Sequence, residues 1–233
     1  AGNTGSVANT ETLVGASGAD TVTLAGGVTN GSIDLGGVSD TLTLASATNT
    51  VTINNVETTT GGSGNDTVTL KGSLTTAMSI DLGSGSNKLT LAATSGTGSV
   101  SNVNTLIGGA GTDTVTFSRT VANASADLAA GSDNLTLAAG GNSLTAANVE
   151  TITGGSGADT VTLMAANKVS LDLAAGSDTL SLANVANTLS LANVETLTGG
   201  TAADTVTLSG ALTTDMTLDL GTGNDKLTLG AAA

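Results

Sequence analysis

Five times this chain runs a Gly-rich acidic turn straight into a β-strand: GASGADTVTL from Gly15, GGSGNDTVTL from Gly61, GGAGTDTVTF from Gly108, GGSGADTVTL from Gly154 and GGTAADTVTL from Gly199. The turn aspartates Asp20, Asp66, Asp113, Asp159 and Asp204 recur about every 46 residues, a period that marks stacked repeats rather than one globular core. A second turn follows each first turn by roughly 20 residues. It reads DLGGVSD from Asp34, DLGSGSN from Asp81, DLAAGSD from Asp127, DLAAGSD from Asp172 and DLGTGND from Asp219. Its last positions are Asp40, Asn87, Asp133, Asp178 and Asp225. A third marker, Asn-Val-Glu-Thr or a variant, starts at Asn9, Asn55, Asn102, Asn148 and Asn193.

Between markers, Val, Leu and Ile alternate with Thr and Ser, as in half-buried strands: Val22 and Leu24, Ile33 and Leu35, Leu42 and Leu44, Val51 and Ile53, then the Glu57 segment. The fold class that follows is all-β, a parallel β-solenoid of the β-roll or β-helix kind, with about five short strands in each period of about 46 residues. The whole of 1–233 reads as a single repetitive solenoid of five periods. Val22, Leu24, Leu42, Leu44, Val68, Leu70, Val161 and Leu163 are placed inside. The chain has 33 Gly, one Phe, Phe117, and no Pro, Cys, Trp, Tyr or His, so a thin aliphatic interior is the only core it can build. Two windings stay open: two strands per coil of roughly 18 residues, or two larger unequal coils per period.

Net charge is −14 with five basic residues, Lys71, Lys88, Arg119, Lys168 and Lys226. Phosphate binding needs a basic stripe, so nucleic acid is excluded as a partner, and cations are the natural one. No apolar run approaches membrane-spanning length, which excludes membrane insertion by helices. No charged-then-apolar leader opens the sequence, which reads as mature or as cut from something longer.

The acidic turns carry the chemistry. Glycine permits tight turns with carbonyl oxygens directed inward, and the Asp adds a carboxylate, the all-oxygen shell a hard cation such as Ca²⁺ prefers. One turn supplies half a cage, so the candidate ligands are paired across coils: Asp20 with Asp40, Asp66 with Asn87, Asp113 with Asp133, Asp159 with Asp178, and Asp204 with Asp225. Backbone carbonyls of Gly62, Gly64, Gly109, Gly111, Gly155 and Gly157 complete the set. The competing reading is a set of bare turns in which Asp and Asn bond their own backbone.

Three turns, Gly61 to Thr69, Gly108 to Thr116 and Gly154 to Thr162, match the nonapeptide Gly-Gly-x-Gly-x-Asp-x-apolar-x without exception. In these residues the chain resembles the RTX calcium-binding repeat proteins, and it is similar to the repetitive regions of bacterial surface-layer proteins and large adhesins. The resemblance implies a six-residue turn, a three-residue strand and Ca²⁺ between stacked turns. It also implies secretion to the extracellular face of a bacterium. Gly15-Ala16, Gly199 to Ala203, Asn87 and Ala129-Ala130 depart from the pattern, which implies fewer ions than turns.

Asp34, Asp81, Asp127, Asp172 and Asp219 alternate with inward positions and are expected on the solvent side. The Asn of each Asn-Val-Glu-Thr is expected to build a hydrogen-bonded turn. Thr-x-Thr pairs such as Thr21 and Thr23, Thr41 and Thr43, Thr67 and Thr69 could form a flat hydroxyl face for ice or glycan, the alternative function. Catalysis has no support: acidic candidates repeat in every period, and neither His nor Cys is present. Arg119 and Phe117 make one locally unusual neighbourhood, which packing explains. Aligning Asp225 with Asp40 sets Ala232, like Ala1, opposite Ala47. The expectation is an uncapped, calcium-stabilised, non-enzymatic structural rod that stacks head to tail or continues into a longer repetitive chain, as part of a surface layer, filament or adhesin stalk.

Overall fold

The computed structural model describes residues 1–165 and 168–231, so Ala232 of the phase comparison lies outside the described residues. By contact the chain divides into two compact units, Ala1–Val115 and Thr116–Ala233. Each is a parallel β-solenoid, all-β as the alternation predicts.

In the first unit the strands are β1 (Thr4–Val7), β2 (Thr12–Val14), β3 (Thr21–Leu24), β4 (Gly31–Asp34), β5 (Thr41–Thr43) and β6 (Thr50–Asn54). They continue with β7 (Thr58–Thr60), β8 (Thr67–Leu70), β9 (Ser79–Asp81), β10 (Lys88–Thr90), β11 (Thr97–Ser101) and β12 (Thr105–Ile107). Odd strands pair with odd in the order β1-β3-β5-β7-β9-β11, and even with even from β2 to β12, all parallel. The winding is therefore two strands per coil, and the coils are 17 to 21 residues long.

Five strands per period at two per coil make two and a half coils. Because five is odd, successive periods enter opposite sheets. Asp20 and Asp40 precede β3 and β5 in one sheet, whereas Asp66 and Asn87 precede β8 and β10 in the other. The second unit repeats the pattern from Ala124–Asp127 to Lys226–Thr228.

Alternation along each strand sends one aliphatic residue per two positions inward, and parallel pairing stacks these into columns. Val22 lies beside Leu42, Val68 beside Leu89, and Val161 between Leu144 and Leu180. All eight residues placed inside by the sequence are buried, none more than 8% exposed. Phe117 is buried as well, at 1% exposure.

One column carries a mismatch. Thr59, 1% exposed, sits between Leu42 and Ile80 and its Oγ1 has no hydrogen-bond partner. The same repeat position holds Leu13, Leu106, Ile152 and Leu197. Thr59→Val keeps the shape and removes the orphan hydroxyl, and is expected to stabilise the protein by about 1 kcal/mol in urea titrations.

Candidate functional site

In every period, residues that stand just before a strand form a hydrogen-bonded ladder along the edge of its sheet. Asn3 N–H donates to Asp20 Oδ1 (2.6 Å), Asp20 N–H to Asp40 Oδ1 (2.7 Å), and Asp40 N–H to Glu57 Oε2 (2.8 Å). On the other sheet Asn49 N–H donates to Asp66 (3.0 Å), Asp66 N–H to Asn87 (2.9 Å), and Asn87 N–H to Asn104 (2.8 Å). In the second unit Asn142, Asp159, Asp178 and Glu195 repeat the series at 2.8, 2.7 and 2.8 Å, and Asn187, Asp204 and Asp225 at 3.0 and 2.8 Å. Gly96 N–H donates to Asp113 (2.8 Å) within the first unit, and Asp133 N–H to Glu150 (2.7 Å) within the second.

Four of the five expected pairs thus stack one coil apart: Asp20 on Asp40, Asp66 on Asn87, Asp159 on Asp178, Asp204 on Asp225. Asp113 belongs to the first unit and Asp133 to the second. All ten candidates are buried except Asp225, which is half-buried. The sequence reading missed the outer rungs, Asn3, Asn49, Asn142 and Asn187 before the pair and Glu57, Asn104, Glu150 and Glu195 after it. Their signal was position: each immediately precedes a strand, as the turn aspartates do.

Where the contacts are made, the two kinds of turn present opposite peptide groups to their rung side chain, N–H to Asp20, Asp113 and Asp159 and carbonyls to Asn87. In the first turns, N–H groups point inward: Ala16, Gly109 and Gly155 donate to Oδ2 of Asp20 (3.3 Å), Asp113 (3.1 Å) and Asp159 (3.1 Å). Gly62, Gly64, Gly109, Gly111, Gly155 and Gly157 all keep negative φ; they are glycine because a Cβ there would run into the backbone of the preceding coil. The carbonyls of Gly62 and Gly155 accept N–H groups of Ser84 (3.0 Å) and Ala175 (3.4 Å).

Positive φ lies in the second turns, at Gly36 (97°), Gly83 (71°), Ala129 (67°), Ala174 (67°) and Gly221 (78°). Each N–H there is held by the Asp two residues earlier, from Asp34 to Asp219, at 2.9 to 3.2 Å. The same carboxylates accept the amides of Asn55, Asn148 and Asn193 at 2.7 to 2.8 Å, and Asp81 accepts Asn102. Those Asn residues have φ near 50–55°, the hydrogen-bonded turn that the marker predicts.

Among the described residues no three acidic side chains converge on one point, so a bound cation must draw chiefly on backbone carbonyls. The inward N–H groups at Asp20, Asp113 and Asp159 disfavour one in those first turns. The second turn of Asn87 presents carbonyls to its rung side chain, and the carboxylates at the same position in other periods fit such an ion: Oδ2 of Asp40 and of Asp178 is buried without a hydrogen-bond partner.

Burial pushes the Asp178 carboxyl above the ordinary carboxylate value, helped by the charges of Asp159 and Glu195 and opposed by the Asp159 N–H. The N–H and amide of Asn3 hold Asp20 low, and the amides of Asn54 and Asn55 hold Asp34 low. A group raised in the fold stabilises it at acid pH, and that contribution is lost as pH climbs from the ordinary carboxylate range through the folded value. Lowered groups lose theirs as pH falls below that range. Chelator-treated protein is therefore expected to lose stability as pH climbs from the ordinary carboxylate range toward neutrality, and to weaken again below about pH 3, in thermal scans.

The hydroxyl array is divided. Thr4, Thr21, Thr41 and Thr58 align outward on the odd sheet, while Thr50 and Thr67 align on the even sheet until Lys88 interrupts them. No helix in the described residues is long and apolar enough to cross a membrane. Comparison with family models, curated proteins and solved structures yields no match to this chain.

Proposed function

We propose that this is a non-enzymatic structural protein of a bacterial cell surface, secreted, stabilised by Ca²⁺, and serving in a surface layer, filament or adhesin stalk. The observation that carries the reading is the ladder of buried and half-buried carboxylates, repeated within each unit. Asp20, Asp40 and Glu57 follow one another at successive coils, and among the described residues no basic side chain is hydrogen-bonded to any of them. A cation relieves that repulsion, so its binding is coupled to folding. The resemblance to RTX repeats supplies the identity of the ion and the extracellular setting.

Partners in this reading are further copies of the chain, stacked head to tail, or more coils of a longer repetitive chain, since backbone pairing extends a parallel stack in register. Scanning calorimetry and electron microscopy in millimolar calcium and in chelator test it. A higher melting temperature and ordered fibres or sheets in calcium support it. Identical melting and isolated particles in both conditions overturn it.

A second reading, an ice- or glycan-binding solenoid, draws on the in-register Thr4, Thr21, Thr41 and Thr58 column. Thermal hysteresis and glycan-array binding separate it from the first.

A further inference from the structure

Asn87 shows what the second turn is built to hold. Its Nδ2 donates to three backbone carbonyls, Leu82 (3.0 Å), Gly83 (3.2 Å) and Asn102 (3.1 Å), while its Oδ1 accepts the N–H of Asp66. At Asp40 the surrounding frame is the same. Oδ1 accepts Asp20 N–H, the Asp40 N–H goes to the third rung, Gly36 has positive φ with its N–H on Asp34, and Asn55 has φ 50°. By repeat position the carbonyls of Leu35, Gly36 and Asn55 correspond to the three that Asn87 binds, and Asp40 sets an acceptor, Oδ2, where Asn87 places a donor. Asp178 stands in the same frame, with Leu173, Ala174 and Asn193 at the corresponding repeat positions. Both Oδ2 atoms are unpartnered on side chains no more than 1% exposed. Oδ2 of Asp66 and Asp204 is also unpartnered, but the matching atom of the other first turns, at Asp20, Asp113 and Asp159, accepts a turn N–H rather than facing a ring of carbonyls.

A second pattern fixes the charge that is missing. The second and third rungs read Asp40 and Glu57, Asp133 and Glu150, Asp178 and Glu195, but Asn87 and Asn104. The two positions change together, so a period carries both charges or neither. A single shared proton accounts for one of them; a divalent cation accounts for both. Glu57 and Glu195 are half-buried and line surface clefts with Asn55 and Met78, and with Asn193 and Met216, which opens each corner to solvent.

We propose that the second turns, rather than the Gly-rich first turns, are the divalent-cation sites. Asp40 Oδ2, the carbonyls of Leu35, Gly36 and Asn55, and the Glu57 carboxylate form one. Asp178, Leu173, Ala174, Asn193 and Glu195 form another. Oxygen-only ligation with two carboxylates suits Ca²⁺. Asn87 with Asn104 is the metal-free equivalent, in which an amide N–H₂ fills the place of the ion. This assignment rests on the calcium reading above and narrows it to particular atoms.

The test is calcium titration of the full chain by calorimetry, with two double variants. D40N/E57N copies a residue pair the fold already carries, and is expected to bind one Ca²⁺ fewer while melting higher than the parent in chelator. N87D/N104E is expected to bind one Ca²⁺ more and to melt lower in chelator. If neither variant alters the stoichiometry and D113N and D159N do, the ions sit in the Gly-rich turns: the calcium reading stands and this assignment is wrong. If the parent chain binds no calcium and ignores chelator, both are wrong.

Discussion

Val161→Asp is expected to unfold the second unit's coil around it, at a cost above about 4 kcal/mol. Val161 has no solvent exposure, and its column neighbours Leu144 and Leu180 are themselves buried. A carboxylate there loses roughly 1.5–3 kcal/mol of apolar burial and adds the desolvation of a charge with no donor in an aliphatic column. Repeat stacks draw stability from neighbouring coils, so the damage spreads beyond one coil. Urea titration followed by circular dichroism measures it, and a shift no larger than that of an exposed Thr153→Asp control would contradict the packing described.

The second large effect is expected at Asn142, whose role lies in its donors. Its Nδ2 donates to the carbonyls of Ala138 (2.9 Å) and Gly140 (2.8 Å) and to Asp159 Oδ1 (2.8 Å), while its Oδ1 accepts Val121 N–H (3.1 Å). It is 2% exposed, so Asn142→Leu strands these groups away from water and is expected to cost about 3 kcal/mol. Asn142→Asp is expected to be worse at neutral pH than at acid pH, because it sets a second carboxylate against Asp159 and against two carbonyls. Equilibrium unfolding at the two pH values separates the lost donor from the added charge.

The strands were legible because one rule governs all of them: aliphatic in, hydroxyl out, punctuated by Gly and Asp. That rule placed Val22, Leu42, Val68 and Val161 correctly, and the spacing of Asp20 from Asp40 correctly implied stacking by one coil. Orientation of the turn peptides was not legible. Ala129 and Ala174 occupy left-handed positions where glycine is the ordinary choice, so composition pointed to the first turns and the positive φ lies in the second. The outer rungs escaped for a related reason. Asn3, Asn49, Asn142 and Asn187 sit in no Gly-rich motif, and their function depends on a residue 17 positions ahead that only the winding brings alongside.

An odd strand count per period means that neither face of the stack is privileged. A segment that lies in one sheet has its next copy in the other, so each must satisfy both environments, and gaining or losing a whole period leaves every segment in a place it already fits. Any partner that reads a single face meets the same marker only at every second copy. That is five coils, about 24 Å at ordinary strand spacing, with the opposite face half a step out of phase. A lattice built on such a surface would inherit a staggered two-sided spacing from nothing more than the parity of five.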